Sequence, residues 1–280
     1  MSIKKFDYII NNTRVEIYNL EKIELICKGN PDYHCLSSIP TRANIIDYLG
    51  VGGDNYNISS HIMNHAAVAY SRARAGQLES AKRLADVVKQ AVPLIDSPFP
   101  KAFSLCFLSA AYSELDDNSA ASELLKSAEA AVEKTKNTKD YPIYMSFLSI
   151  ARAAHGDRRG ALDIMNEAVL EAGRRDRAEN VALTSAISAY VSAYVGATNR
   201  AKAYIHKYNL REKLGRKKVF ESISQSFVRS SKLMIRDKSI AKNERTYIDN
   251  VFDEKTRSRK ELGLSLLSIE YAESYHKIEN

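Results

Sequence analysis

A fixed spacing of 40 residues governs the middle of this 280-residue chain. Alanines stand at 81, 121, 161 and 201, and five residues before each comes a turn former: Gly76, Asp116, Gly156 and Gly196. Three residues after the alanines lie Leu84, Leu124, Ile164 and Tyr204. The next position holds Ala85, Leu125, Met165 and Ile205, and the seventh holds Val88, Ala128, Ala168 and Tyr208. Such offsets trace one face of an α-helix. The segments ahead of each turn, HIMNHAAVAYSRA, KAFSLCFLSAAYSEL, YMSFLSIARAAH and ALTSAISAYVSAYV, also read as helices. Each unit is helix, tight turn, helix, and self-similarity at this period marks a stacked repeat architecture.

The recurring residue types have physical reasons. A small side chain in the alanine column lets two antiparallel helices approach closely. Glycine at the turn reaches positive φ at a helix end with little steric cost. Pro93, Pro98 and Pro100 separate the first two units and Pro142 opens the third; proline is tolerated at a helix start and harmful inside one. Ser59 and Ser60 are expected to cap the first unit. Asp116 and Asp117 fall in a turn, where they are expected to cap the following helix.

The stretch SIARAAHGDRRGALDIMNEAVLE (149–171) resembles helix A, the Gly-Asp turn and helix B of the tetratricopeptide-repeat (TPR) family. Gly156, Ala161 and Ala168 fall on that family's small positions, and Asp157 follows the glycine. Gly76 with Ala81 and Gly196 with Ala201 repeat part of the pattern, and Pro93 falls on the family's proline. The resemblance covers roughly residues 61–215. It departs in period, which in the family is about 34, and in the early aromatic and glycine positions of helix A, which are mostly lost. The extra residues are expected to lengthen the helices or the loops PLIDSPFP and KTKNTKDYP. The resemblance implies an all-α, right-handed α-solenoid of TPR-like helix-turn-helix repeats. The units fall at about 59–97, 98–140, 141–178 and 179–216, with a degenerate copy at 217–255.

That fifth copy keeps Ala241 on the spacing and a helical stripe of Val219, Phe220, Ile223, Phe227 and Met234, but its later column weakens at Glu244 and Ile248. A wetter face suits a terminal capping repeat. ELGLSLLSIEYAESYHK reads as the final capping helix of segment 256–280. Segment 1–58 is short and mixed or irregular: RVEIY and KIELICK, with Asn19 between them, suggest a hairpin, and a helical reading is nearly as good. TRANIIDYLG reads as a short helix capped by Thr41 and stopped by Gly50, followed by the loop GVGGDNYN.

Composition narrows the class. Hydrophobic residues at 45% and charged residues at 27% are the proportions of an ordinary folded chain. No apolar run approaches the ~20 residues that cross a bilayer, and Asp7, Asn11 and Asn12 make the stretch after Lys4 and Lys5 too polar for a signal peptide. Cys27, Cys35 and Cys106 are few and odd in number, which argues against a disulfide framework and for a reducing, cytoplasmic setting. The net charge of +7 is uneven: residues 200–260 carry 18 basic and 7 acidic side chains. On a helix from Lys218 to Arg236, the residues Lys218, Gln225, Arg229, Lys232 and Arg236 fall within about 60° of one another, forming a solvent-facing basic stripe. Such a stripe can meet phosphate or an acidic partner.

Candidate chemistry is sparse. Residues 41–65 resemble part of a helix-turn-helix DNA reader, with Leu49-Gly50-Val51 at the turn, but the spacer before Ile58 exceeds the usual ~4 residues. His61 and His65 share a helix face, and Cys27, His34 and Cys35 could join them, yet the spacing fits no standard zinc site. Gly50, Gly52 and Gly53 precede a helix without a phosphate-binding GxxxxGK[ST] motif. No serine or cysteine sits in a nucleophile motif. The expectation is a non-enzymatic chain without cofactor, metal site or membrane contact.

In the resembled family the inner surface is built from helix A. This implies a partner-binding groove from Tyr70, Arg74, Glu114, Ile150, Tyr190 and Tyr194, with Ala110 and Ala154 in the same columns. The family's carboxylate clamp of Lys and Asn is missing, and the preceding column reads Ala66, Cys106, Ser146 and Ala186. An apolar groove with aromatic walls suits a hydrophobic helix or an extended segment. The same tyrosines can instead pack between neighbouring repeats, or the N-terminal segment can fill the groove. The function expected is a scaffold for a peptide or protein partner, as adaptor, chaperone or regulator. The alternative is a nucleic-acid-binding transcriptional regulator using 200–260 and 41–65.

Overall fold

The computed structural model describes residues 55–74, 76–175, 178–212 and 221–235, and the regular elements among them are all helical. The expected N-terminal hairpin, the Thr41 helix, the glycines of the loop at 50–53, Ala241 and the final capping helix lie outside the described residues, as do Lys218 and Arg236, while Asn55, Tyr56 and Asn57 of that expected loop already belong to the first helix. The helices pair in chain order. They are α1 (Asn55–Arg74) with α2 (Leu78–Ala91), α3 (Pro98–Glu114) with α4 (Asn118–Glu133), α5 (Tyr141–Ala154) with α6 (Arg158–Arg174), and α7 (Ala178–Tyr194) with α8 (Thr198–Glu212), followed by α9 (Glu221–Met234). Pro93 sits in a single 3₁₀ turn, Val92–Leu94, and Pro98 and Pro142 occupy the first turns of α3 and α5.

The four turns are copies of one hydrogen-bonded motif. Gly76, Asp116, Gly156 and Gly196 all have positive φ, at 74°, 58°, 86° and 81°. In each, the amide of this residue donates to the carbonyl three residues back, and the next amide donates five back: Gly156 to Ala153 at 3.1 Å and Asp157 to Arg152 at 3.0 Å, for example. This is the Schellman closure of a helix end, and the left-handed residue is what lets the chain reverse. Asp117 and Asp157 then cap the next helix, accepting from the amides of Ala120 at 3.2 Å and Gly160 at 2.8 Å. Both carboxyls lie below their ordinary range. For Asp117 the largest cause is its hydrogen bond from Lys82, and for Asp157 the Gly160 amide.

The alanine column is where paired helices meet. Ala81, Ala121, Ala161 and Ala201 are all completely buried. The approach is close enough for the Ser109 hydroxyl on α3 to donate to the Ala121 carbonyl on α4 at 3.0 Å. Each second helix packs on its own partner; α2, α4 and α6 also pack on the first helix of the next pair, while α1, α3, α5 and α7 pack on one another in succession. The first helices are consequently buried on all sides. Ala102–Tyr112, Tyr141–Ala151 and Leu183–Ala193 are unbroken runs of buried residues. Several serines within these runs satisfy their hydroxyls locally, as Ser146 does on the Pro142 carbonyl at 2.8 Å and Ser185 on the Val181 carbonyl at 2.6 Å. An aromatic cluster ties the layer together: Phe103 stacks on Phe107 at 4.3 Å, Phe147 meets Phe103 edge-on at 4.9 Å, and Tyr70 meets Phe107 at 5.7 Å.

The first cap differs from expectation. Helix α1 starts at Asn55, so Ser59 and Ser60 lie inside it, and Ser59 is buried rather than capping.

Two stability tests follow from this geometry. A Cβ at Gly156 would meet no atom within 4 Å. Gly156→Ala should therefore cost about 1 kcal/mol from the left-handed backbone alone, whereas Asp116→Gly, which removes that strain, should not destabilise; urea midpoints check both. Ala161→Glu places a charge where two helices touch and should cost several kcal/mol. Arg158→Ala, on an exposed side chain, should stay within about 0.5 kcal/mol. Similar melting curves for these last two would refute the packing register.

Candidate functional site

The inner columns of α1, α3 and α7 converge on one polar knot. The Tyr70 and Tyr190 hydroxyls are 2.8 Å apart, although the residues are separated by 120 positions. One turn further along, Arg74 contacts Glu114 at 3.3 Å and 3.4 Å, and the Tyr194 hydroxyl donates to the same carboxylate at 2.6 Å. The Arg74 guanidinium also lies over the Tyr194 ring, 4.8 Å from its centre. Side chains from the first, second and fourth units thus share a single network. The Tyr190 ring meets Phe227 of α9 edge-on at 5.4 Å, which draws α9 onto the same cluster.

Burial grades this knot from inside to outside. Tyr70 and Tyr190 are fully buried and Ile150 is 1% exposed, while Arg74 and Glu114 retain side-chain exposures of 15% and 16%. Burial, reinforced by Tyr190 and Tyr194, pushes the Tyr70 phenol well above its ordinary value, so it stays a neutral hydroxyl at physiological pH. Of the sequence-predicted groove residues, Tyr70, Tyr190 and Ile150 are packed between helices, and only Arg74, Glu114 and Tyr194 remain at a margin reached by solvent. The open aromatic wall expected from the columns is closed here by its own side chains.

The basic stripe is likewise altered. Lys218 and Arg236 fall outside the described residues, Lys232 is half-buried, and Arg229 is 9% exposed. Arg229 therefore does not face open solvent. The reason is the width of the buried face of α9, which takes in Ser224, Phe227, Val228, Ser230 and Ser231 and leaves little free arc for a basic stripe. In α1, residues Ile62–His65 of the helix-turn-helix-like segment are all buried, so they offer no free edge to a DNA groove.

Other polar ties carry no sequence signal, most of them because their partners are tens of residues apart. The Tyr112 hydroxyl donates to Asp86. Lys82 lies 4.5 Å from the centre of that ring and pairs with Asp117 at 2.9 Å. Arg152 joins Glu129 and Asp157 at 2.5 Å and 2.9 Å. His155 stands between the Ser113 and Ser122 hydroxyls at 3.5 Å and 3.3 Å. Asn180 pins the long loop ahead of α5 through the Lys139 carbonyl at 2.7 Å. Cys106 is fully buried, and burial, then Glu129, pushes its thiol far up, which leaves it a poor nucleophile.

Among the described residues no group of His, Cys, Asp and Glu is arranged to hold a metal ion, and no helix is long and apolar enough to cross a membrane. Comparison with family models, curated proteins and solved structures returned no match.

The tyrosine contact across the stack is measurable. Tyr70→Phe and Tyr190→Phe should each destabilise, and the double variant should cost less than the sum by about 1 kcal/mol. Chemical denaturation of the four proteins gives this coupling. Strict additivity would show that the first and fourth units do not touch there.

Proposed function

We propose that the chain is a TPR-like right-handed α-solenoid and serves as a non-enzymatic scaffold for a peptide or protein partner, as an adaptor, chaperone or regulator. The observation that supports this most is the stacking itself. One turn motif recurs four times with the same hydrogen bonds, and each pair rests on the next in chain order. Stacked repeats hold backbone positions constant while side chains vary, which produces a long surface suited to an extended partner. Because Tyr70 and Tyr190 seal the deep part of the inner column, a partner would meet the margin at Arg74, Glu114 and Tyr194, or the outer helices.

Affinity capture of the full chain from its native cells, with and without nuclease, tests the reading. A stoichiometric protein that stays bound after nuclease treatment is expected. Loss of every partner on nuclease treatment would overturn the scaffold reading in favour of a nucleic-acid-binding regulator.

A further inference from the structure

The repeats provide an internal control for their own surface, because each junction places equivalent positions side by side. At the first junction Lys82 of α2 pairs with Asp117 ahead of α4 at 2.9 Å. At the second, the position equivalent to Lys82 is Ser122, and it meets His155 at 3.3 Å. Both junctions are thus bridged by a polar tie from the outer helix to the next turn. At the third junction every equivalent position is apolar: Leu162 replaces Lys82 and Ser122, Val195 replaces His155, and Ala197 replaces Asp117. These positions form no tie; the polar contact of this junction lies further along, where Arg200 of α8 donates to Asn166 of α6, and a recess of about 440 Å³ lies between α6 and the turn into α8, with Leu162, Val195 and Ala197 in its lining.

The rim of that recess carries Arg158, Arg159 and Arg200. Arg158 and Arg159 are exposed, and the Arg200 guanidinium donates to the Asn166 side-chain carbonyl oxygen, which holds that charge beside the opening. Asp163 also lines the recess, 3.9 Å from Arg159, so the lining keeps a positive excess of two charges. Arg158 and Arg159 begin α6 and Ala197 precedes α8, so the positive ends of two helices add to the same field. The lining has no aromatic ring on which a nucleic-acid base could stack.

We infer that this recess docks an acidic segment of a protein partner, which inserts an apolar side chain between Leu162 and Val195 while its carboxylates face Arg158, Arg159 and Arg200. Charge complementarity selects the sign of the segment, and the apolar lining selects a peptide over a plain anion. The inference rests on the scaffold reading and places its contact at the third junction.

The test selects short displayed random peptides on the full chain and measures their binding to three proteins: wild type, Arg158→Glu/Arg159→Glu and Leu162→Ser. The rim residues are exposed, and glutamate suits the first turn of a helix, so the charge-reversed variant should melt like wild type. Enriched peptides should be acidic around one apolar residue. Their affinity should fall about tenfold or more on the charge-reversed protein and also on Leu162→Ser. Equal binding to all three proteins would overturn the site and leave the scaffold reading standing. Failure to enrich any peptide would count against both. Displacement of the peptides by inorganic phosphate at matched ionic strength, or undiminished binding after their apolar residue is removed, would reduce the recess to a simple anion patch and refute the inference.

Discussion

A left-handed residue followed five positions later by a fully buried alanine is the constraint on which the stack depends. The left-handed residue closes one helix and turns the chain through two fixed hydrogen bonds; the alanine brings the returning helix into near backbone contact. Neither element suffices alone. A turn without the small residue would leave the helices splayed, and an alanine without the turn would have no partner at the right height. Copying both four times at one spacing gives each pair the same internal geometry, so each can rest on its neighbour in the same way. Asp116 is the informative copy. It accepts a positive φ that the other units assign to glycine, which shows that the backbone shape, rather than the residue type, is what the architecture conserves between units.

Burial on all sides follows for the inner helices. Helix α5 faces its partner α6, the preceding helices α3 and α4, and α7. Little arc is left for water, and its sequence answers with Tyr, Pro, Ile, Met, Phe, Leu and small Ser and Ala residues. Serine is tolerated because its hydroxyl returns to a carbonyl one turn back, so burial leaves it paired. The outer helices keep one wet face, and their charges are spent mainly on pairs such as Lys89–Glu123 at 3.1 Å, which are exposed and of small individual weight.

This division explains what could be read in advance. Turn residues, the alanine column and the capping of α4 by Asp117 are local, set within one or two helical turns, and local periodicity reports them directly; Asp116, expected to cap as well, is the left-handed turn residue. Ser59 failed as a cap because the helical pattern continues upstream to Asn55, and a serine before a periodic run does not say where the run begins. Arg229 failed as a solvent-facing residue because a helical wheel gives directions but not the width of the face that neighbours will cover. The tyrosine knot was half legible. The columns named Tyr70, Arg74, Glu114, Tyr190 and Tyr194 together, yet whether they line a groove or close it depends on how far the stack rotates from unit to unit. That rotation accumulates over 120 residues, and no local spacing carries it.

Closure of the inner column and variation at the outer junctions are linked by the same economy of geometry. The first and fourth units meet through the Tyr70 and Tyr190 hydroxyls, while each outer helix packs on the first helix of the next pair. At the third junction the polar tie lies at Arg200 and Asn166 instead of at the turn. Lys82–Asp117 and Ser122–His155 are choices of side chain on a backbone already determined, and Leu162 with Val195 is a third choice on the same backbone. Substituting apolar for polar at such a point forfeits an interaction of modest worth, since the polar ties are partly exposed. The recess at the third junction combines these apolar residues with a rim of arginines. Side chains at the outer junctions thus differ from one unit to the next while the buried alanine column and the turn motif beneath them stay the same.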